Sequence, residues 1–158
     1  MTAAPGFVAP TFAAPTAPTF AVPTFAEWLA VANLKARYCR YLDTKDWAGF
    51  ASLFTEDVVI DTTASGGPRM EGRDAAIVSI RASLDAATTT HHVHTPEIEI
   101  DGDEARVVWA MRDRLTWPNG RKLDGAGHYH ERYVRQNGDW KIAKSRLTRL
   151  FVDMQPSG

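Results

Sequence analysis

The five histidines fall in two tight groups, His91-His92-Val93-His94 and His128-Tyr129-His130. A neutral imidazole with an ordinary pKa of about 6.5 takes up a proton near physiological pH, so a pocket histidine is the default general base. Both groups lie in segments that read as strands, where successive side chains alternate between faces. By that period His92 and His94 share a face with Ile98 and Ile100. His91 points the other way unless a bulge re-aims the strand before Pro96. His94 and His128 join the candidates for substrate contact. Paired His-x-His strands can also hold zinc or iron, but no carboxylate stands at ligand spacing in either group, and no metal is expected.

Asp113 is an acid within an apolar stripe, because Trp109, Met111, Leu115 and Trp117 share its face at the two-residue period. A buried carboxylate must be paired, protonated or placed in a solvated cavity. An ion pair with Arg132, Arg146 or Arg149 and a place in an active site are equally supported. Asp43 follows a helical segment, where a carboxylate opposes the helix dipole unless it caps the next helix or pairs with another group. Its catalytic reading is that it orients a histidine and raises its basicity. Tyr38 lies on the same helix's apolar face; its ring reads as core, although a phenol reaching a pocket can donate to a developing oxyanion. Cys39, the single cysteine, has no basic partner in a motif and reads as inert.

These residues depend on elements that periodicity outlines. Trp28, Val31, Leu34, Tyr38 and Tyr41/Leu42 recur at helical spacing from Glu27 to about Leu42. Trp47, Phe50, Ala51 and Phe54 continue that spacing as a short second helix after the break at residues 43–46. Val58-Val59-Ile60 is a β-branched run, Gly66-Gly67-Pro68 a turn, and Asp74 to about Leu84 a third helix. Four strands then span His92–Ile100, Arg106–Trp117, Gly127–Arg135 and Trp140–Val152. Asp101-Gly102-Asp103, Pro118-Asn119-Gly120 and Asn137-Gly138-Asp139 separate them. Helices followed by long strands predict an α+β fold, a cone in which a strongly bent antiparallel sheet wraps three N-terminal helices and leaves a pocket at the open end. Phe54, Val59, Trp109 and Met111 are candidates for its apolar wall.

The chain has 158 residues and a formal charge of −1, with no basic stripe, so nucleic-acid binding through phosphates has no electrostatic support. No long apolar run predicts a membrane span, and no phosphate loop, dinucleotide fingerprint or nucleophile elbow occurs. One cysteine fits a reducing cytoplasm. Residues 1–26 carry five of the nine prolines and no charge, with Pro-Thr-Phe repeated at Phe12, Phe20 and Phe25. Prolines interrupt every window that could serve as a signal peptide, so the segment reads as an arm before a domain over 27–158.

The run Leu34-Lys-Ala-Arg-Tyr38-Cys-Arg-Tyr-Leu-Asp43-Thr-Lys-Asp-Trp47, then Leu53-Phe54-Thr-Glu-Asp57 and His91-His-Val-His94-Thr-Pro-Glu-Ile-Glu-Ile100, resembles the SnoaL-like branch of the nuclear transport factor 2-like superfamily. Arg112-Asp113-Arg114-Leu115 and the stretch from Gly138 to Arg149 extend the likeness, which is nearest to its bile acid and scytalone dehydratase members. The resemblance implies the same cone and a homodimer or homotrimer. It implies a cofactor-independent lyase, expected to be a dehydratase acting on a hydrophobic, carbonyl-activated polycyclic, aromatic or terpenoid alcohol. An isomerase, a cyclase or a small-molecule binding domain are the alternatives on this scaffold. It assigns Tyr38, Asp43, His91 and Asp113 as catalytic and Arg149 as the group that fixes a polar part of the substrate.

Overall fold

In the computed structural model, which describes residues 23–157, a capping box starts the first helix, α1 (Phe25–Thr44). The Glu27 N–H donates to Thr24 Oγ1 at 3.3 Å, and the Thr24 N–H donates to Glu27 Oε2 at 2.9 Å. The helix thus begins two residues before the composition break. Phe25 stacks on Trp28 at 6.3 Å, while Phe12 and Phe20 lie outside the described residues. The buried stripe of α1 is Val31, Leu34, Lys35, Tyr38, Cys39 and Leu42, so the expected apolar face also carries a lysine.

Lys45 ends α1 in the left-handed conformation, and Asp46, not Asp43, caps α2 (Trp47–Ala51) by accepting from the Gly49 N–H at 2.9 Å. Phe54, read as the last turn of that helix, instead opens β1 (Phe54–Asp61). A 3₁₀ turn at Thr63–Ser65 leads to β2 (Arg69–Glu71), and α3 follows over Arg73–Leu84. The four long strands are β3 (Thr88–Asp101), β4 (Glu104–Thr116), β5 (Lys122–Gln136) and β6 (Asp139–Gln155). Three of them outrun the periodic segments, because pairing extends through β-branched and polar flanks such as Thr88–Thr90, which alternation does not mark.

The sheet order is β2-β1-β6-β5-β4-β3. The expected antiparallel meander is β3 to β6, but the sheet as a whole is mixed, since β1 joins β6 in parallel. That pairing is non-local: the last strand returns to the first, closing the helices against the concave face. Phe54 meets Tyr38 and Phe50 edge-on there, Tyr38 tilts against Phe50 with centroids 5.0 Å apart, and Ile142, Tyr133 and Trp109 continue the core.

Candidate active site

A cavity of about 260 Å³ opens at one end of the cone. Its walls include Ile60, Pro68 and Met70 from β1 and the β2 region, Ile80 and Leu84 from α3, Leu115, Leu123 and Leu147 from the long strands, and Trp117 just past β4. Its polar lining includes Tyr38, His91, Asp113, Tyr129, Ser145 and Arg149.

His91 faces the cavity because β3 is irregular where the sequence left room for it. The β3–β4 register shifts between His94 and Glu97, and Thr95 takes a left-handed φ of 47°. Before that bulge odd positions are buried and after it even ones are. The parity shared by His92, His94, Ile98 and Ile100 therefore fails: His92 and His94 stand exposed on the outer face, and His91 is buried.

Asp43, in the last turn of α1, meets this histidine with both oxygens. Oδ1 lies 2.7 Å from His91 Nδ1, and Oδ2 accepts the His91 backbone N–H at 2.8 Å. Thr89 Oγ1 donates to Oδ1 at 2.8 Å and accepts from Lys45 Nζ at 2.9 Å. Burial pushes the Asp43 carboxyl up, but the ring and backbone bonds from His91 and the bond from Thr89 outweigh it and hold the acid below its ordinary value. An ionised Asp43 accepts only, so Nδ1 carries a proton and Nε2 keeps its lone pair.

Asp113 resolves to the ion-pair reading and still lines the cavity. Arg149 Nη1 and Nη2 donate to its two oxygens at 2.6 and 2.7 Å. Burial alone would lower the Arg149 pKa, yet its bonds to Asp113 raise it. The pair is fitted around Gly125, where an added Cβ would stand 2.7 Å from Arg149 Nη1 and 3.1 Å from Asp113 Oδ1.

Several expected wall residues lie elsewhere. Trp109, Met111 and Phe54 face inward but fill the closed end of the cone as core; Met111 touches the site only through its sulfur, 3.6 Å from Arg149 Nη1. Val59 points away from the cavity that its neighbour Ile60 lines, and half-buried His128 lies on the outer face beside His130. The one-residue alternation along β1 and β5 accounts for both.

Tyr129 and Ser145 were not anticipated, although Tyr129 alternates with Glu131 and Tyr133 on one strand face. Tyr38 and Tyr129 are buried with ring centroids 5.8 Å apart, and burial pushes both phenols well above their ordinary value, so both are protonated donors. Among the described residues, no three His, Cys, Asp or Glu side chains cluster as a metal site, and no helix is long and apolar enough to cross a membrane. The arrangement offers a base, two donors and a cation in a chamber walled mainly by apolar side chains, with Asp61, Thr62 and several serines adding polar lining.

A family model described as a SnoaL-like domain matches residues 24–146, which include Tyr38, Asp43, His91, Asp113 and Tyr129. The chain belongs to this family. A probable cyclase of Gibberella zeae is 25% identical over 138 residues, covering 77% of this chain and 89% of that protein. A Mycobacterium tuberculosis protein of unknown function is 32% identical, with a TM-score of 0.70, over 79% of this chain and 72% of its own. A protein assigned as a scytalone dehydratase from Novosphingobium aromaticivorans shares 22% identity and superposes with a TM-score of 0.75 over 81% of this chain and 87% of its own. The expected α+β cone is thus the fold shared with these SnoaL-like relatives.

Proposed function

We propose that this SnoaL-like domain is a small-molecule lyase, a dehydratase that removes water from a hydrophobic, carbonyl-activated alcohol by acid–base chemistry of its own side chains. The observation that carries the reading is the 2.7 Å contact between Asp43 and the Nδ1 of cavity-lining His91. It leaves Nε2 as the base. Nε2 takes the acidic C–H proton beside the substrate carbonyl, the electron pair moves to the carbonyl oxygen, and Tyr38 donates a hydrogen bond to that oxygen. Collapse of the enolate expels the β-hydroxyl, which takes a proton from the His91 imidazolium and leaves as water. Arg149 fixes a polar group of the substrate. Asp113 acts by holding Arg149 in place, because both its oxygens are engaged. The size and apolar walls of the cavity suit an aromatic, terpenoid or compact polycyclic skeleton.

The resemblance to a probable cyclase favours one second reading, in which the same base and donors generate the enolate for ring closure instead of elimination. Incubation with carbonyl-activated cyclic alcohols, followed by mass spectrometry, separates the two: dehydration removes 18 mass units, and isomerising ring closure removes none. His91→Ala should abolish turnover while leaving the fold intact, and an unchanged rate would sink the assignment. The homodimer or homotrimer implied by the family is part of the proposal. It would cover Leu150, Phe151, Val152 and Met154, exposed near the end of β6, and sedimentation velocity tests it.

A further inference from the structure

Beneath the two phenols lies a charge pair that the proposed reaction does not use. Lys35 Nζ and Glu131 Oε1 are 2.8 Å apart, with both side chains wholly inaccessible to solvent. Removing two ions from water costs several kcal/mol per ion, and apolar residues of like volume are often at least as stable, so stability is a poor reason for such a pair. Its surroundings supply another. Lys35 Nζ sits over the ring of Tyr38 at 3.8 Å and over the ring of Tyr129 at 3.6 Å from the centroids. Glu131 in turn accepts from Ser145 Oγ at 2.8 Å and from the Tyr133 hydroxyl at 2.5 Å, and Trp109 Nε1 donates to Tyr133 at 3.0 Å.

We propose that Lys35 is a positioning residue: its ammonium, anchored by Glu131 and gripped between the Tyr38 and Tyr129 rings, fixes and polarises the two phenols into a paired donor for a substrate oxyanion. The proposal rests on the acid–base reading of the cavity above and deepens it. A cation on a ring face fixes that ring's position and draws electron density from it, which strengthens the phenol O–H as a donor. The two rings meet edge to face, with centroids 5.8 Å apart. In the proposed pair Tyr129 donates to the Tyr38 oxygen, so Tyr38 keeps its own O–H for the cavity, and cooperative polarisation strengthens that last bond. Ser145 is turned by its bond to Glu131 so that a lone pair remains for a substrate hydroxyl.

The test needs no knowledge of the natural substrate. 2-Naphthol and ring-halogenated 2-naphthols of increasing acidity present a two-ring apolar body and a hydroxyl whose ionised form mimics an enolate oxygen. Their fluorescence distinguishes bound naphtholate from bound naphthol. The full chain should bind the more acidic members as naphtholates, with affinity that varies with their acidity. Lys35→Met/Glu131→Gln should keep the cooperative unfolding transition, weaken naphtholate binding at least tenfold and flatten its dependence on acidity. A folded variant with wild-type affinities and slope overturns the role of Lys35. Tyr129→Phe keeps the ring over the ammonium and removes the relay hydroxyl. It should weaken naphtholate binding severalfold, and unchanged binding overturns the paired donor even if the double variant does not fold. If the wild-type protein binds no naphthol, the oxyanion site itself fails, and the inference fails with it.

Discussion

Replacing Asp43 by asparagine alters charge and donor count at a group of three close hydrogen bonds while keeping its shape. Asp43 accepts from the His91 backbone N–H, from His91 Nδ1 and from Thr89 Oγ1, all within 2.7 to 2.8 Å. An amide has one oxygen. Placed at Oδ1 it keeps Thr89 and the ring, but its NH₂ then faces the His91 N–H, donor against donor. Placed at Oδ2 it keeps the backbone bond, and the NH₂ faces Nδ1, which must become an acceptor; the ring proton moves to Nε2 and the base is lost. Bonds to a charged acceptor contribute about 1.5–3 kcal/mol each and neutral ones about 0.5–1.5. Either arrangement should therefore cost about 1–3 kcal/mol, the lower end being favoured because the Asp43 side chain is 23% exposed. At about 2–4 °C per kcal/mol for a domain of this size, the thermal midpoint falls by several degrees. A wrong tautomer can cost up to about 10⁴-fold in kcat, and we expect at least about 10²-fold here. Long-range ¹⁵N NMR of the imidazole reads the tautomer without a substrate: protonated Nδ1 in the wild type, a shift toward protonated Nε2 in Asp43→Asn. A variant that keeps the Nδ1–H tautomer and the wild-type rate would refute the orienting role.

The same carboxyl sets a pH dependence. Because Asp43 titrates lower in the folded chain than in the unfolded one, its contribution is complete above the ordinary carboxylate range and is lost as pH falls through its folded value. The stability gap between wild type and Asp43→Asn should thus narrow with acidification, as urea denaturation at stepped pH would show. Arg149→Met strands the buried Asp113 carboxylate and should destabilise by about 3–5 kcal/mol in denaturant titration, with Asp113→Leu on top restoring most of it. Thr95→Gly relieves a β-branched residue held at a φ of 47°, and chemical denaturation should show a gain of about 0.5–1 kcal/mol. Deleting Thr95 instead removes the bulge, turns His91 outward and abolishes activity, with loss of the Nδ1 proton signal as the readout.

The elements around the site were legible because their signals are local. Helical spacing marked α1 and α3, turn residues separated β3 to β6, and the isolation of Asp113 in an apolar stripe marked it as a residue that had to be explained. The resemblance over about Leu34–Asp153 carried the family and the pairing of Asp43 with His91. Periodicity alone pointed to His92 or His94, because a strand's alternation cannot announce where an extra residue is inserted. The bulge at Thr95 is a property of β3 pairing with β4. The parallel union of β1 with β6 is equally invisible along the chain, since it joins segments more than 80 residues apart. Which inward-facing residues line space and which fill it depended on tertiary packing: Trp109 and Met111 share a strand face with Asp113 but belong to the packed core. Lys35 is the sharpest case. On the helical wheel it is one charge at the edge of an apolar face, and a lone lysine there ordinarily reaches out to solvent. Its burial was decided by Glu131, 96 positions later, and by two phenol rings that only the folded cone brings to either side of it.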